Sequence, residues 1–128
     1  MLGQFQRSQI RIEIPASASQ LRDCLTRPEE IQAWLWPQQL SHPLPDRLET
    51  GLVFQSKLGP LTIDHQVKSI SGDRLVLILG QGIDGWQEWL WGENWIQSSL
   101  EGVSLLPLEL GQTLALMRLR HYLSHSTS

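Results

Sequence analysis

The sequence predicts an α+β domain: a leading strand, two short helices, a series of antiparallel strands and one long C-terminal helix. Three observations carry this. Ile10, Ile12 and Ile14 alternate with Arg11 and Glu13, the period-2 pattern of a half-buried strand. Ser17 and Thr26 each open a helix-start word directly afterwards. From Leu108 to Ser124, beyond a long run of alternating segments, the apolar residues return at helical spacing.

The first strand is expected over Ser8 to Ile14, with Pro15 stopping it. Ser17 with Gln20 forms a capping box, in which each side chain satisfies a free backbone N–H, and Leu21, Cys24 and Leu25 make the inner face of the helix that follows. Thr26-Arg27-Pro28-Glu29 reads as a second capping box, with proline in the first turn and Glu29 and Glu30 at the positive end of the dipole. Adjacent helical residues point about 100° apart, so these two glutamates read as caps and not as an acid–base pair. Ile31, Trp34 and Leu35 give this helix its apolar side, and Pro37 helps end it.

Gln38 to Thr50 reads as loop, with one short edge strand at Leu44 to Leu48. Strands then come in series. Leu52, Phe54, Ser56 and Leu58 alternate with Val53, Gln55 and Lys57, and Gly59-Pro60 turns the chain. Leu61, Ile63, His65 and Val67 alternate with Thr62, Asp64 and Gln66, and Ser71-Gly72-Asp73 leads to the apolar run Leu75 to Leu79. A last pair, Gly85 to Trp91 and Trp95 to Leu100, is joined by Gly92-Glu93-Asn94. In the tail, Leu110, Leu114, Met117 and His121 form one stripe and Leu116, Leu119 and Leu123 a second. The helix is therefore expected to be covered on two sides, by the sheet and by loops, short helices or a partner.

At 128 residues the chain is expected to form one domain, 1–128, with one core. A net charge of −3 with only two lysines, Lys57 and Lys68, gives no basic footprint for nucleic acid. Cys24 stands alone, so no internal disulfide forms, and it reads as a small buried hydrophobe. Met1 to Arg7 lacks the pattern of a signal peptide, and no apolar run approaches the ~20 residues of a membrane helix, so a cytoplasmic protein without an integral membrane segment is expected. Gly80-Gln81-Gly82 leads into a strand and not a helix, which fails the dinucleotide requirement, and GxSxG and HExxH are absent. His121 and His125 have metal-compatible spacing without a third ligand. No catalytic constellation, no metal site and no cofactor is predicted.

The order of elements resembles the helix-grip fold of the START-like superfamily, which includes polyketide cyclases, birch-pollen allergens and lipid-transfer domains. The local words are most similar to the branch related to activators of the heat-shock chaperone ATPase: Ile14-Pro15-Ala16-Ser17, then Arg27-Pro28-Glu29-Glu30-Ile31-Gln32-Ala33-Trp34. The element order covers nearly the whole chain, the words only about Ile12 to Pro37. The resemblance implies a curved antiparallel sheet of six or seven strands wrapped around the C-terminal helix, with an apolar cavity between them. The fold hosts enzymes, carriers and co-chaperones alike, so it does not choose among them.

Strand parity then nominates a lining for that cavity: Phe54 and Ser56, Ile63 and His65, Trp86 and Glu88, and Ser98, with Trp34 at the mouth or in the core and Leu110, Leu114 and Met117 from the last helix. If Trp91 pairs with Trp95, Glu88 sits opposite Ser98, and Trp89, Trp91 and Trp95 share the outer face as an aromatic patch for a protein partner or a second copy. A slip of one residue reverses every assignment in this hairpin and turns the indoles inward, so its buried face stays open. His65 and Glu88 are the candidate acid–base groups, because burial would push their pKa values toward the neutral forms.

Three readings follow. The first is a non-enzymatic module that binds or carries a small hydrophobic molecule of the lipid, isoprenoid, quinone or pigment class. The second is a protein-interaction module of the chaperone-activator type, and the third a cyclase- or dehydratase-like enzyme.

Overall fold

A computed structural model describes residues 3–126, in which seven strands form one antiparallel sheet and three helices pack on its concave side. The strands are β1 (Gln4–Glu13), β2 (Gln39–Leu40), β3 (Val53–Leu58), β4 (Leu61–Ile70), β5 (Arg74–Gln81), β6 (Asp84–Gly92) and β7 (Trp95–Ser104), arranged β1-β7-β6-β5-β4-β3-β2. The helices are α1 (Ala18–Thr26), α2 (Pro28–Leu35) and α3 (Leu108–Ser126). This is the helix-grip fold.

Local chemistry explains the starts. Ser17 caps α1 through its hydroxyl oxygen, which accepts from the Gln20 N–H, and Gln20 Oε1 accepts from the Ser17 N–H in return. The second expected capping box does not form. Thr26 Oγ1 donates to the Arg22 carbonyl inside α1, and Arg27 takes the N-cap of α2 without a side-chain bond. Pro28 and the two following glutamates still suit the first turn.

Two further expectations are corrected. The edge strand lies at Gln39–Leu40, paired with Lys57 and Ser56, and not at Leu44 to Leu48. Leu48 is instead buried, held by its N–H donating to the Thr26 carbonyl. In the β6–β7 hairpin, Gly92 pairs with Trp95 and Trp91 with Ile96, one residue away from the Trp91–Trp95 pairing. The connection is Glu93-Asn94, with Asn94 at φ +65°. The tip is fixed from outside: the Asn94 carbonyl accepts from Ile14 N–H at 3.0 Å, and its N–H donates to the Ala16 carbonyl at 2.9 Å. That tie to the end of β1 sets the register.

The core fills the concave side. Leu21, Leu25, Trp91, Ile96, Leu116 and Leu119 are almost entirely buried. On α3 the buried stripe is Leu108, Gln112, Leu116, Leu119 and Leu123, which faces β1, β7 and α2. At the other end of the β6–β7 pair, Gly85 lies opposite Gly102, and a Cβ on Gly85 would collide with the Glu101 carbonyl oxygen. A bulge between Val67 and Ser69 keeps β4 in step with β5 while the sheet bends.

Candidate functional site

The sheet, α2 and the first half of α3 enclose a cavity of about 310 Å³. That lies at the lower end of the range for small-molecule sites. Its floor is β5, which turns Leu75, Leu77 and Leu79 inward, with Trp89 from β6, Leu100 from β7 and Ile63 from β4 on either side. Trp34 closes it from α2, and its Nε1–H donates to the Cys24 carbonyl at 2.8 Å, so the indole cannot swing freely. Leu58, Leu110 and Leu114 line the cavity yet stay partly exposed, which marks them as its rim.

Among the described residues, no Asp, Glu, Lys or Arg lines this cavity. Its polar groups form two clusters on opposite sides of the β5 leucines. On the β3–β4 side, Ser56 Oγ lies 2.8 Å from His65 Nε2 and accepts from Gln38 Nε2 at 2.6 Å. The His65 ring stacks on Phe54, with centroids 4.8 Å apart and planes 9° from parallel. His65 Nδ1 is buried and has no hydrogen-bond partner among the described residues. Burial lowers the His65 pKa from 6.5 to about 4, against a smaller opposing pull from Asp64. On the β6–β7 side, Gln112 Nε2 donates to the Ser98 carbonyl at 3.1 Å and to Ser98 Oγ at 3.0 Å, while Gln87 lines the wall nearby. Gln112 Oε1 is the second buried cavity group without a partner among the described residues.

The residues nominated from sequence divide clearly. Trp34, Phe54, Ser56, Ile63, His65, Leu110 and Leu114 all line the cavity. Ser98 is fully buried on the inner face, beneath Gln112. Trp86 and Glu88 lie on the outer face: Trp86 is exposed opposite Ile78, and Glu88 pairs with Arg74 at 2.6 Å. Met117 lies outside the cavity, on an open groove with Ala33, Trp36, His121 and Tyr122.

The tryptophan patch is also corrected. Trp89 and Trp91 are buried on the concave side, while Trp95 is half-buried on the outer face with the Arg11 guanidinium 4.2 Å from its ring centre. The most exposed indole among the described residues is Trp36, at 67%, just after α2 and away from the hairpin. With Glu88 paired outside, no acid–base couple of His65 and Glu88 exists.

Sequence reasoning missed Gln38, Gln87 and Gln112. Gln112 had a readable signal, as a lone polar residue four from both Leu108 and Leu116 on one helical stripe. Gln38 had none, since it sits in a loop brought to Ser56 by β2.

No protein-family model matches the sequence, and no curated protein matches it significantly. Solved structures do match in fold. MLL2253 from Mesorhizobium loti superposes with a TM-score of 0.75 at 12% identity, over 96% of this chain and 100% of that one. DynU16, from the dynemicin biosynthetic locus, gives 0.71 at 19% identity over 92% of this chain and 47% of its own, so the chain spans about half of DynU16. The Aha1 dimer from Colwellia psychrerythraea gives 0.66 at 13% identity, over 96% and 99% of the two chains. What the chain shares with these structures is the fold, a curved antiparallel sheet gripping a long C-terminal helix.

Proposed function

We propose that the protein binds and carries a small hydrophobic molecule in the cavity between its sheet and α3. One observation carries the reading: an apolar hollow of about 310 Å³, with three leucines on its floor and no Asp, Glu, Lys or Arg among the described residues of its wall, stays open at a leucine rim. Such a preformed hollow with a few neutral polar groups suits an apolar ligand. Its size suits one compact ring system or a short chain better than a two-chain lipid.

Native mass spectrometry of protein purified from its own host, before and after denaturation, tests this. A co-purifying organic molecule released on unfolding supports carriage; repeated preparations with an empty cavity count against it.

A second reading is favoured by a different observation. Leu110, Leu114 and Met117 form an exposed row on α3 near the exposed Trp36, which follows α2. Among the neighbours, Aha1 from Colwellia psychrerythraea is a dimer. We read this row as a contact for a second copy of the chain, replacing the hairpin patch expected from sequence. Sedimentation of wild type against Met117→Asp tests it: a dimer converted to monomer supports the contact, and a monomeric wild type at high concentration removes it.

A further inference from the structure

We propose that the cavity selects a neutral apolar molecule bearing a carbonyl-type oxygen, which accepts a hydrogen bond from Nδ1–H of His65. The inference rests on the cavity reading above and adds the ligand's polar chemistry.

The argument is one of proton placement. Gln38 Nε2 is a donor, and it occupies one acceptor position on Ser56 Oγ. Ser56 is completely buried, and among the described residues the other side chain bonded to its oxygen is His65, with Nε2 at 2.8 Å. Placing the hydroxyl proton on the line to Nε2 satisfies both groups, so we assign Nε2 as the acceptor. A neutral imidazole that accepts at Nε2 carries its own proton at Nδ1. That Nδ1–H is buried without a partner among the described residues, on a ring that lines the cavity and is held flat against Phe54.

A bare buried donor costs free energy until something accepts from it. A ligand oxygen with a lone pair, as in a ketone, quinone, ester or lactone, removes that cost. An anion does not fit the same wall. No lysine or arginine among the described residues lines the cavity, so a buried carboxylate or phosphate would have no countercharge there. Fatty acids and phosphorylated amphiphiles are disfavoured on this ground.

Three probes of one shape separate the terms: 2-acetylnaphthalene, 2-ethylnaphthalene and 2-naphthoate, titrated at pH 7 by calorimetry into the whole protein. The ketone is expected to bind about tenfold more tightly than the hydrocarbon, and naphthoate at least about a hundredfold more weakly than the ketone. In His65→Phe the ketone's advantage over the hydrocarbon should vanish, whatever the variant does to both affinities together. Nitrogen NMR of the wild-type histidines is independent of any variant, and should show His65 protonated at Nδ1. Equal binding of ketone and hydrocarbon overturns the proposal, as does an advantage that survives His65→Phe, tight binding of naphthoate, or a proton found at Nε2. Failure of all three probes to bind overturns the cavity reading itself.

Discussion

The indoles of Trp34 and Trp89 meet edge to face, with ring centroids 6.2 Å apart and planes at 75°. This pair joins α2 to the sheet across the cavity, so the short helices depend on it for position. Both rings are buried, whereas Trp36, two residues along, is largely exposed. Trp89→Ala should cost about 3–5 kcal/mol in urea unfolding, as large aromatic truncations do. Trp36→Ala should cost less than about 1 kcal/mol. Equal losses at the two positions would mean that the pair does not hold the helices.

Stability should fall in mild acid because of His65. Its folded-state pKa, about 4, lies below its ordinary value of 6.5 because burial disfavours the charged ring. The unfolded chain therefore takes up a proton that the folded chain refuses. The contribution is fully present above pH 6.5 and is lost as pH falls toward 4, by roughly 3 kcal/mol in all. Urea midpoints measured across this window should flatten in His65→Phe. A parallel decline in wild type and variant would assign the effect to other groups.

Glu88 offers the opposite test. Its pairing with Arg74 lies on the outer face, with the arginine side chain 53% exposed. Glu88→Gln should change stability by less than about 1 kcal/mol, as for exposed pairs. It should leave the affinity for naphthalene probes unchanged. A clear drop in affinity would bring Glu88 back into the site.

Cys24 should be inert. Burial, with Glu30 and Asp23 nearby, pushes its thiol up to about 12, so almost no thiolate exists near pH 8. Modification by an aromatic disulfide should proceed only as the protein unfolds, and denaturant should accelerate it. Rapid labelling of the native protein would contradict this burial.

Strand parity was legible wherever one face of a strand was plainly apolar. Phe54, Ser56, Ile63 and His65 point inward as their alternation requires, because β3 and β4 carry Gln55, Asp64 and Gln66 on the other face. β6 gave no such bias. It has Trp86 and Leu90 on one parity and Trp89 and Trp91 on the other, so hydrophobicity cannot choose between them. The choice is made by Asn94, whose backbone bonds to Ile14 and Ala16 join segments far apart in sequence. The α3 stripes posed a similar problem, since Gln112 interrupts the buried row while Leu110, Leu114 and Met117 form an exposed one. Its burial depends on Ser98, which no local pattern announces.

The uncharged wall of the cavity governs traffic as well as fit. With no fixed charge facing inward among the described residues, long-range fields have little hold on an approaching guest. Entry then resembles partitioning into an oil droplet, paced by how often the leucine rim parts. Added salt should leave the arrival rate nearly untouched, while loosening α2 from the sheet should hasten both arrival and escape.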